Sequence, residues 1–381
     1  MKKRATVRQI AAETSLSIAT VSRVLNGQDN VAPRTRELVL HAARRLGHDG
    51  LTTSTPAGGV FVRCPYLLDD YFGPMVSSIV ETIELHGMTA VINAGKAARR
   101  PGALTGLPRT AGLAGGVLIL PPESPEELAR LRDQGFPFVV LDPRTSPPRD
   151  IVAVSSAHVT GARLLMSHLV ELGHRQVGII AGPREWLVTT SRTAGYVAAL
   201  ADAGVLPSPG RIRFVNEPTM ENGHRAACEL LDQPDRPTAL ACFNDKTAIG
   251  ALRAARERGL RVPADLSIGG FDDADIGQAT DPMLTTVHQP LAEMGRMAVT
   301  MLVRMLKGHD LDARHVELGT DLIVRGSTGP APVTPTSPAA PVPAAAAPSA
   351  PAPPSAAVPP SAAVPPSAPA PPAVAAPPSA P

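Results

Sequence analysis

The chain runs to 381 residues, carries 36 Lys and Arg against 34 Asp and Glu, and is only 3% aromatic. That length accommodates two or three domains. Its three cysteines, Cys64, Cys228 and Cys242, are odd in number and lack paired spacing, which argues against a disulfide framework or a zinc site and fits a reducing cytoplasm.

The net charge of +2 is unevenly placed. Residues 1–50 hold nine Lys/Arg and four Asp/Glu, +5, which leaves −3 for the remainder. A basic head on a mildly acidic body points to a polyanionic partner at the head. The basic start "MKKRATVRQI" is followed by no apolar run, so it does not read as a signal peptide, and no apolar stretch is long enough to span a bilayer.

In the head, Thr6 and Gln9 have capping-box spacing ahead of a helix from Val7 to about Thr14. Ser15-Leu16 makes a tight turn, and Ser17 caps a second helix that stops at Asn26-Gly27. Leu16, Val21, Val24 and Leu25 form its buried face. A third helix begins at Pro33 and reaches Leu46, with Leu38, Ala42 and Leu46 at helical spacing. Three short helices with this turn make a helix-turn-helix, whose second helix enters the major groove of DNA. Ile18 and Ala19 suit thymine methyls, and Arg23 suits a guanine edge or a phosphate. Thr20, Ser22 and Asn26 suit phosphate oxygens, and Thr6 can hold a phosphate at a helix N-terminus.

The run "TVRQIAAETSLSIATVSRVLNGQDNVAPRTRELVLHAARRLGH" closely resembles the DNA-binding head of the lactose-repressor (LacI) family, and "TVSRVLNG" is close to that family's signature. The resemblance implies that the pair Ile18-Ala19 helps to choose the operator, that Arg23 reads a base, and that a homodimer binds a near-palindromic double-stranded site. Next comes "GHDGLTTSTPAGG" (47–59). By composition it is a linker, with no Arg or Lys, Leu51 as its one leucine, Pro56 and paired glycines. Family members carry a longer segment here, with a run like Ala-Arg-Ser-Leu whose Leu wedges into the minor groove. This chain departs from that pattern.

From residue 60 to 329, short apolar runs alternate with amphipathic helical stretches. Strands are expected at 60–63, 88–93, 115–120, 137–142, 176–182, 212–216, 238–243 and 266–271. Helices are expected over such stretches as 75–86, 161–172, 194–203 and 246–258. Such alternation means parallel sheets covered by helices, and the length allows two such units. No GxxxxGK[ST] and no strand-linked GxGxxG is present, so a P-loop enzyme or dehydrogenase is unsupported.

Ligands of parallel sheets sit beyond the carboxyl ends of the strands. Asn244-Asp245 follows one strand, Asp272-Asp273 another, and a loop with Trp186 and Arg192 a third. Amide, carboxylate and guanidinium bind paired hydroxyls, and an aromatic ring faces a sugar ring. The plainer readings are a helix cap for Asp245, solvated loop acids, packing for Trp186 and a surface ion pair for Arg192.

"LVELGHRQVGIIAGP" (169–183), "FNDKTAIGALRAARERGLRVPADLSIGGFDD" (243–273) and "PMLTTVHQPLAEMG" (282–295) resemble core motifs of the same family. They imply a periplasmic-binding-protein-like body of two parallel-sheet α/β subdomains joined by crossover strands, with a small effector in the cleft, and the polar and aromatic groups at the strand ends suit a sugar there. The resemblance carries effector contacts onto Arg192, Asn244 and Asp272. It places Asp70, Tyr71 and Phe72 in the first cleft loop and helix. "SSAHVTGA" (155–162) departs from the usual Val-Asp-Asn helix entry, since Ala157 and His158 stand in place of the acid and amide.

No HExxH, close Cys/His cluster, opposed acid pair or G-x-S-x-G supports catalysis, and no metal or cofactor is implied. After Arg325 no charged residue appears, and residues 330–381 form a Pro/Ala/Ser repeat expected to stay disordered. The domains expected are thus a helix-turn-helix over 1–49, a linker over 50–59, an effector-binding and dimerisation body over 60–329 and a tail over 330–381. The function expected is a cytoplasmic, sequence-specific DNA-binding regulator, a repressor controlled by a carbohydrate effector. The alternative is a sugar-sensing module with weak DNA binding that acts through a protein partner. A carbohydrate-active enzyme lacks a catalytic constellation.

Overall fold

The computed structural model describes residues 6–25, 31–46, 58–100, 102–206 and 208–332. Asn26, almost all of the linker and the tail from 333 onward lie outside the described residues.

The head has the three expected helices, α1 (Val7–Thr14), α2 (Ile18–Leu25) and α3 (Pro33–Arg45). The Thr6–Gln9 capping box forms, with Thr6 N donating to Gln9 Oε1 at 2.7 Å. Ser15 takes the left-handed conformation (φ 56°) that turns the chain between α1 and α2. Ser17 Oγ accepts from Thr20 N at 3.0 Å and so caps α2. Ile10, Ala11, Val21, Val24, Val39, Ala42 and Ala43 make a small shared core. One detail differs from expectation: Leu38 is 51% exposed and its neighbour Val39 is buried. The apolar stripe of α3 therefore runs through Val39, Ala42, Ala43 and Leu46, because two alanines let α3 pack closely on α1 and α2.

The body begins with β1 (Gly59–Cys64), α4 (Phe72–Leu85), β2 (Thr89–Ala94), β3 (Leu113–Ile119), α5 (Pro125–Asp133), β4 (Phe138–Leu141) and β5 (Val152–Ser156). The chain then crosses at Ala157 into α6 (His158–Glu171), β6 (Val177–Ala181), α7 (Leu187–Asp202), β7 (Ile212–Phe214) and α8 (Met220–Leu231). There follow β8 (Ala239–Cys242), α9 (Asp245–Glu257), β9 (Ser267–Asp272), the single-turn α10 (Asp275–Gln278) and β10 (Thr285–His288). It crosses back at Gln289-Pro290 into α11 (Leu291–Leu306) and β11 (His315–Leu318), and a third time at Gly319-Thr320 into β12 (Asp321–Ile323).

The result is two six-stranded sheets, β2-β1-β3-β4-β5-β11 and β7-β6-β8-β9-β10-β12. Pairing is parallel throughout except between β10 and β12. In both sheets the order reverses beside the first strand, between β1 and β3 and between β6 and β8. Loops leaving those strands diverge there and open a crevice. β5, β10, β11 and β12, the strands that flank the crossings, escape the reading of apolar runs, since segments such as "TTVH" are short and half polar.

α6 starts three residues before Gly161, which lies inside the helix rather than at its start. A Cβ there would stand 2.8 Å from Thr320 Oγ1, so the glycine lets α6 pass against the third crossing. α8 and α9 approach more closely still. A Cβ at Gly250 would stand 2.1 Å from Met220 O, and one at Gly223 2.5 Å from the Thr247 backbone. Gly250→Ala is therefore expected to destabilise the body by about 1–3 kcal/mol through overpacking. Urea unfolding measures it, and an unchanged midpoint would show that the two helices do not touch backbone to backbone.

Candidate functional site

In the head, α2 turns Val21 and Val24 inward and leaves Ile18 (51%), Ala19 and Arg23 exposed. Ile18 and Ala19 are adjacent at the start of the helix, and Arg23 lies one turn on from Ala19, donating Nε to Ala19 O at 3.3 Å. Thr20 and Ser22 are half-buried, and the Thr20 hydroxyl shares a 2.8 Å hydrogen bond with Ser17. Thr6 sits at the N-terminus of α1 with its hydroxyl in the capping box. The helix thus presents an apolar pair and one guanidinium at its exposed face, with hydroxyls beside them.

In the body, the loops leaving β1, β3, β4, β6, β7, β8 and β9 surround a cavity of about 690 Å³. All eight expected effector residues line it: Asp70, Tyr71, Phe72, Trp186, Arg192, Asn244, Asp245 and Asp272. Its walls are aromatic. Tyr66 stacks on Phe72 with ring centroids 4.8 Å apart, and Trp186 meets Phe243 edge-on at 6.2 Å. The Arg144 guanidinium lies over Trp186 at 4.9 Å. Trp186 belongs to the wall rather than to a remote core, and its Nε1 is buried without a partner among the described residues.

Tyr71, Asp142, Arg192 and Asp272 form the floor, and a chain of polar contacts links them through His158 and Gln289, which stand behind the lining. Tyr71 Oη donates to Asp142 Oδ2 at 2.8 Å, and His158 Nε2 lies 2.8 Å from Asp142 Oδ1. Arg192 Nη2 lies 3.4 Å from His158 Nδ1. Arg192 also donates Nη1 to Phe243 O, lies 3.6 Å over the Phe271 ring, and stands 3.7 Å from Asp272. Gln289 Nε2 donates to Asp272 Oδ1 at 2.6 Å. Arg192 is only 4% exposed, so it is no surface ion pair. His158 begins α6 immediately after the first crossing, and Gln289 lies on the second.

Burial would raise the Asp142 carboxyl, but the His158 ring, the hydrogen bonds from His158 and Tyr71, and nearby Arg192 outweigh it and hold Asp142 below the usual carboxylate range. Asp272 behaves in the opposite way. Burial pushes it well above its ordinary value, and Arg192, too far for a hydrogen bond, offsets this only in part. The backbone is strained at the same strand ends: φ is 44° at Leu120, 52° at Asp142, 118° at Asp272 and 56° at Asp273. Each such residue costs on the order of 1–3 kcal/mol, a cost that recurs at ligand sites.

Asn244, not Asp245, caps α9: its Oδ1 accepts from Thr247 N at 3.0 Å. The helix begins at Asp245 rather than at Lys246. Asp245, 1% exposed, instead accepts from Thr286 Oγ1 at 2.5 Å and Ala274 N at 2.8 Å, which ties α9 to β10 and the loop after β9. Its neighbour Lys246 bridges the cleft mouth to Asp69. Tyr66, Asp142, Arg144, Phe243 and Gln289 are site residues that sequence reading missed. For Asp142 the signal was present, since it ends "PFVVLD" as Asp272 ends β9. At the departure from the family's helix entry, the His158 ring stands between Asp142 and Arg192.

Among the described residues no helix is long and apolar enough to cross a membrane. The bacterial regulatory proteins of the lacI family match residues 6–49, and a periplasmic binding protein-like domain matches residues 166–328. The chain is 33% identical over 338 residues to the HTH-type transcriptional repressor CytR of Escherichia coli, covering 86% of this chain and 97% of that one. It is 34% identical over 345 residues to the HTH-type transcriptional regulator MalR of Streptomyces coelicolor, covering 85% and 96%. Among solved structures, the transcriptional regulator CelR in complex with cellobiose superposes with a TM-score of 0.64 at 28% identity, over 85% of this chain and 100% of that one. The lac repressor dimer bound to operator and an anti-inducer does so with a TM-score of 0.64 at 25% identity, over 86% and 100%.

Asp245 supplies a test of the buried carboxyls. Burial pushes it from its ordinary 3.8 up to about 7, with the Thr286 and Ala274 hydrogen bonds opposing. Between those values the folded chain keeps a proton that the unfolded chain has released, so this group makes stability fall as pH rises. Asp245→Asn is expected to remove that slope. Its unfolding free energy relative to wild type should climb from pH 4 to pH 7 in urea titrations. A difference independent of pH would show that Asp245 is ionised in the folded chain.

Proposed function

Since the chain belongs to the LacI family of bacterial regulatory proteins, and is a DNA-binding transcriptional regulator rather than an enzyme, we propose that it is a cytoplasmic repressor whose homodimer binds a near-palindromic operator and answers to a carbohydrate effector. Ile18 and Ala19 meet thymine methyls, and Arg23 reads a base edge. Thr6, Thr20 and Ser22 hold the phosphates, joined by Asn26 from outside the described residues. The effector lies in the cleft. The observation that carries this reading is the polar chain Tyr71–Asp142–His158–Arg192–Asp272–Gln289 of the floor, beneath aromatic walls. A sugar presents hydroxyls to such a floor and a C–H face to such walls. The unpartnered Trp186 Nε1 and Arg192 Nε offer donors, and the Asp142 and Asp272 carboxyls lie beside them. Phe72 supports the wall, Asn244 and Asp70 stand at the rim, and Asp245 holds the rim from behind. The structural neighbour solved in complex with cellobiose supports a carbohydrate.

The floor reaches both subdomains, so an effector that replaces its contacts selects one arrangement of the two, and DNA affinity follows. Mobility-shift titration with genomic fragments, with and without sugars, tests the whole reading. Sequence-preferring binding that a sugar changes is expected, and no preferred fragment under any condition would sink it. In thermal shift, a ligand at about a hundred times its Kd stabilises by about 2.7 kcal/mol. Arg192→Ala should abolish that gain while leaving operator binding without the sugar. Ala19→Gln should change the preferred base at one operator position by about 1–3 kcal/mol of discrimination, and an unchanged selection profile would remove α2 from the groove.

A further inference from the structure

We infer that His224, Cys228 and Glu257, on the outer helices of the second subdomain, form a binding site for a divalent transition-metal ion of the zinc type. His224 and Cys228, four residues apart in a sequence expected to hold no close Cys/His cluster, are one turn apart on α8, and the fold adds Glu257, the last residue of α9. Their ligating atoms all lie within 4.8 Å of one another. His224 Nε2 is 2.6 Å from Glu257 Oε2 and 3.7 Å from Cys228 Sγ. Around a tetrahedral zinc, bond lengths of about 2.0–2.3 Å place an N–S pair roughly 3.6 Å apart and an N–O pair roughly 3.3 Å apart. The sulfur is already at that distance, and the carboxylate needs to retreat by well under an ångström. Gly223 and Gly250 hold the helices at this separation, since any side chain at either would push them apart.

The surroundings suit a metal rather than a bare thiol. Glu257 Oε1 accepts from Arg253 Nε at 2.9 Å, so Oε2, which now meets His224 Nε2, is the oxygen that turns to the ion when the ion replaces the proton between them. Cys228 Sγ accepts from Arg258 Nη1 at 3.2 Å, and Arg258 is itself gripped by both oxygens of Asp232. Charge closes locally: the dication is met by thiolate and carboxylate, Arg258 by Asp232, and Arg253 by Glu221 at 3.6 Å. Second-sphere donors of this kind fix ligand orientation. His224 is 16% and Glu257 42% exposed at the side chain, so solvent reaches the fourth position. The other two cysteines differ. Cys64 and Cys242 are buried, and burial raises both thiols, Cys64 to about 11. Metal binding at Cys228 releases the thiol proton and staples α8 to α9. The N-caps of those helices, Thr219 and Asn244, line the effector cleft, so the ion stiffens one wall of it.

The test is titration of the full-length protein, freed of metal by chelator and dialysis, with Co²⁺ as a visible probe. The expected result is a thiolate-to-cobalt charge-transfer band in the near ultraviolet that saturates near about one equivalent per chain and is displaced by Zn²⁺. Cys228→Ser should lose the band, and joint replacement of Cys64 and Cys242 by Ser should keep it. Arg253→Ala should weaken binding by about tenfold. No band at a large Co²⁺ excess, or a band that survives Cys228→Ser, overturns the site. Should Cys228→Ser fail to fold by circular dichroism, Glu257→Gln takes its place. An affinity unchanged in that variant overturns the proposal equally.

Discussion

The body of this protein depends on one constraint. Two six-stranded sheets are joined by only three short crossings, and a single run of polar contacts sits beside two of them. His158 opens the helix after the first crossing, and Gln289 lies on the second. Between them Arg192 is held on the Phe243 carbonyl, the His158 ring and the Phe271 face, within 3.7 Å of Asp272. Asp142 immediately follows a strand of the first sheet, and Asp272 ends a strand of the second. The run is therefore laid across the joint itself. A rotation of one subdomain against the other must break or remake contacts within it, and buried polar groups left unmet cost about 1–3 kcal/mol each. That cost separates discrete arrangements instead of allowing a continuum.

The same residues would be a poor choice for stability alone. Buried charges seldom outperform apolar packing of equal volume. Here Arg192 and Asp142 are buried, Asp272 is pushed toward its neutral form, and three strand ends carry left-handed backbone. The apolar alternative was close at hand, since the surrounding clusters are made of Val, Leu, Met and Phe. Strain and desolvation concentrated where strand ends converge are the mark of a preorganised site. The two carboxyls are pushed in opposite directions, Asp142 down by its His158, Tyr71 and Arg192 partners and Asp272 up by burial.

The sequence announces the parts of this design that rest on local rules. The capping box at Thr6–Gln9, the serine cap at Ser17 and the apolar face of α2 follow from spacing alone, and all three are present. The long apolar strands are equally legible, because strands buried on both faces are continuous runs. What escaped depends on contacts far apart in sequence. β10 and β12 are short and half polar, and they exist because each finds a neighbour across the sheet. Gly161 looks like a helix start, yet it is a mid-helix notch required by Thr320. Leu38 looks like core until the two alanines that follow Val39 bring α3 close. At the site, the rule that found Asp272 applies equally to Asp142. The pairing of His158 with both Asp142 and Arg192 spans sixteen and thirty-four positions, and no local pattern reports it.

The recognition helix sets what the joint must accomplish. One copy of α2 offers a single guanidinium and an apolar pair. A good bidentate contact discriminates by about 1–3 kcal/mol, and methyl contacts add less. Specific binding in a genome needs about 4–10 kcal/mol over nonspecific binding. A single head of this composition falls short of that range, and two heads on a two-fold site reach it. The second copy helps only when both heads reach their half-sites together, because its contribution depends on an effective concentration that spacing controls. An effector therefore has no need to touch the head. In the proposed dimer it is enough that effector binding changes how the two subdomains stand, and with them the separation of the heads, for affinity to move between the one-headed and the two-headed value.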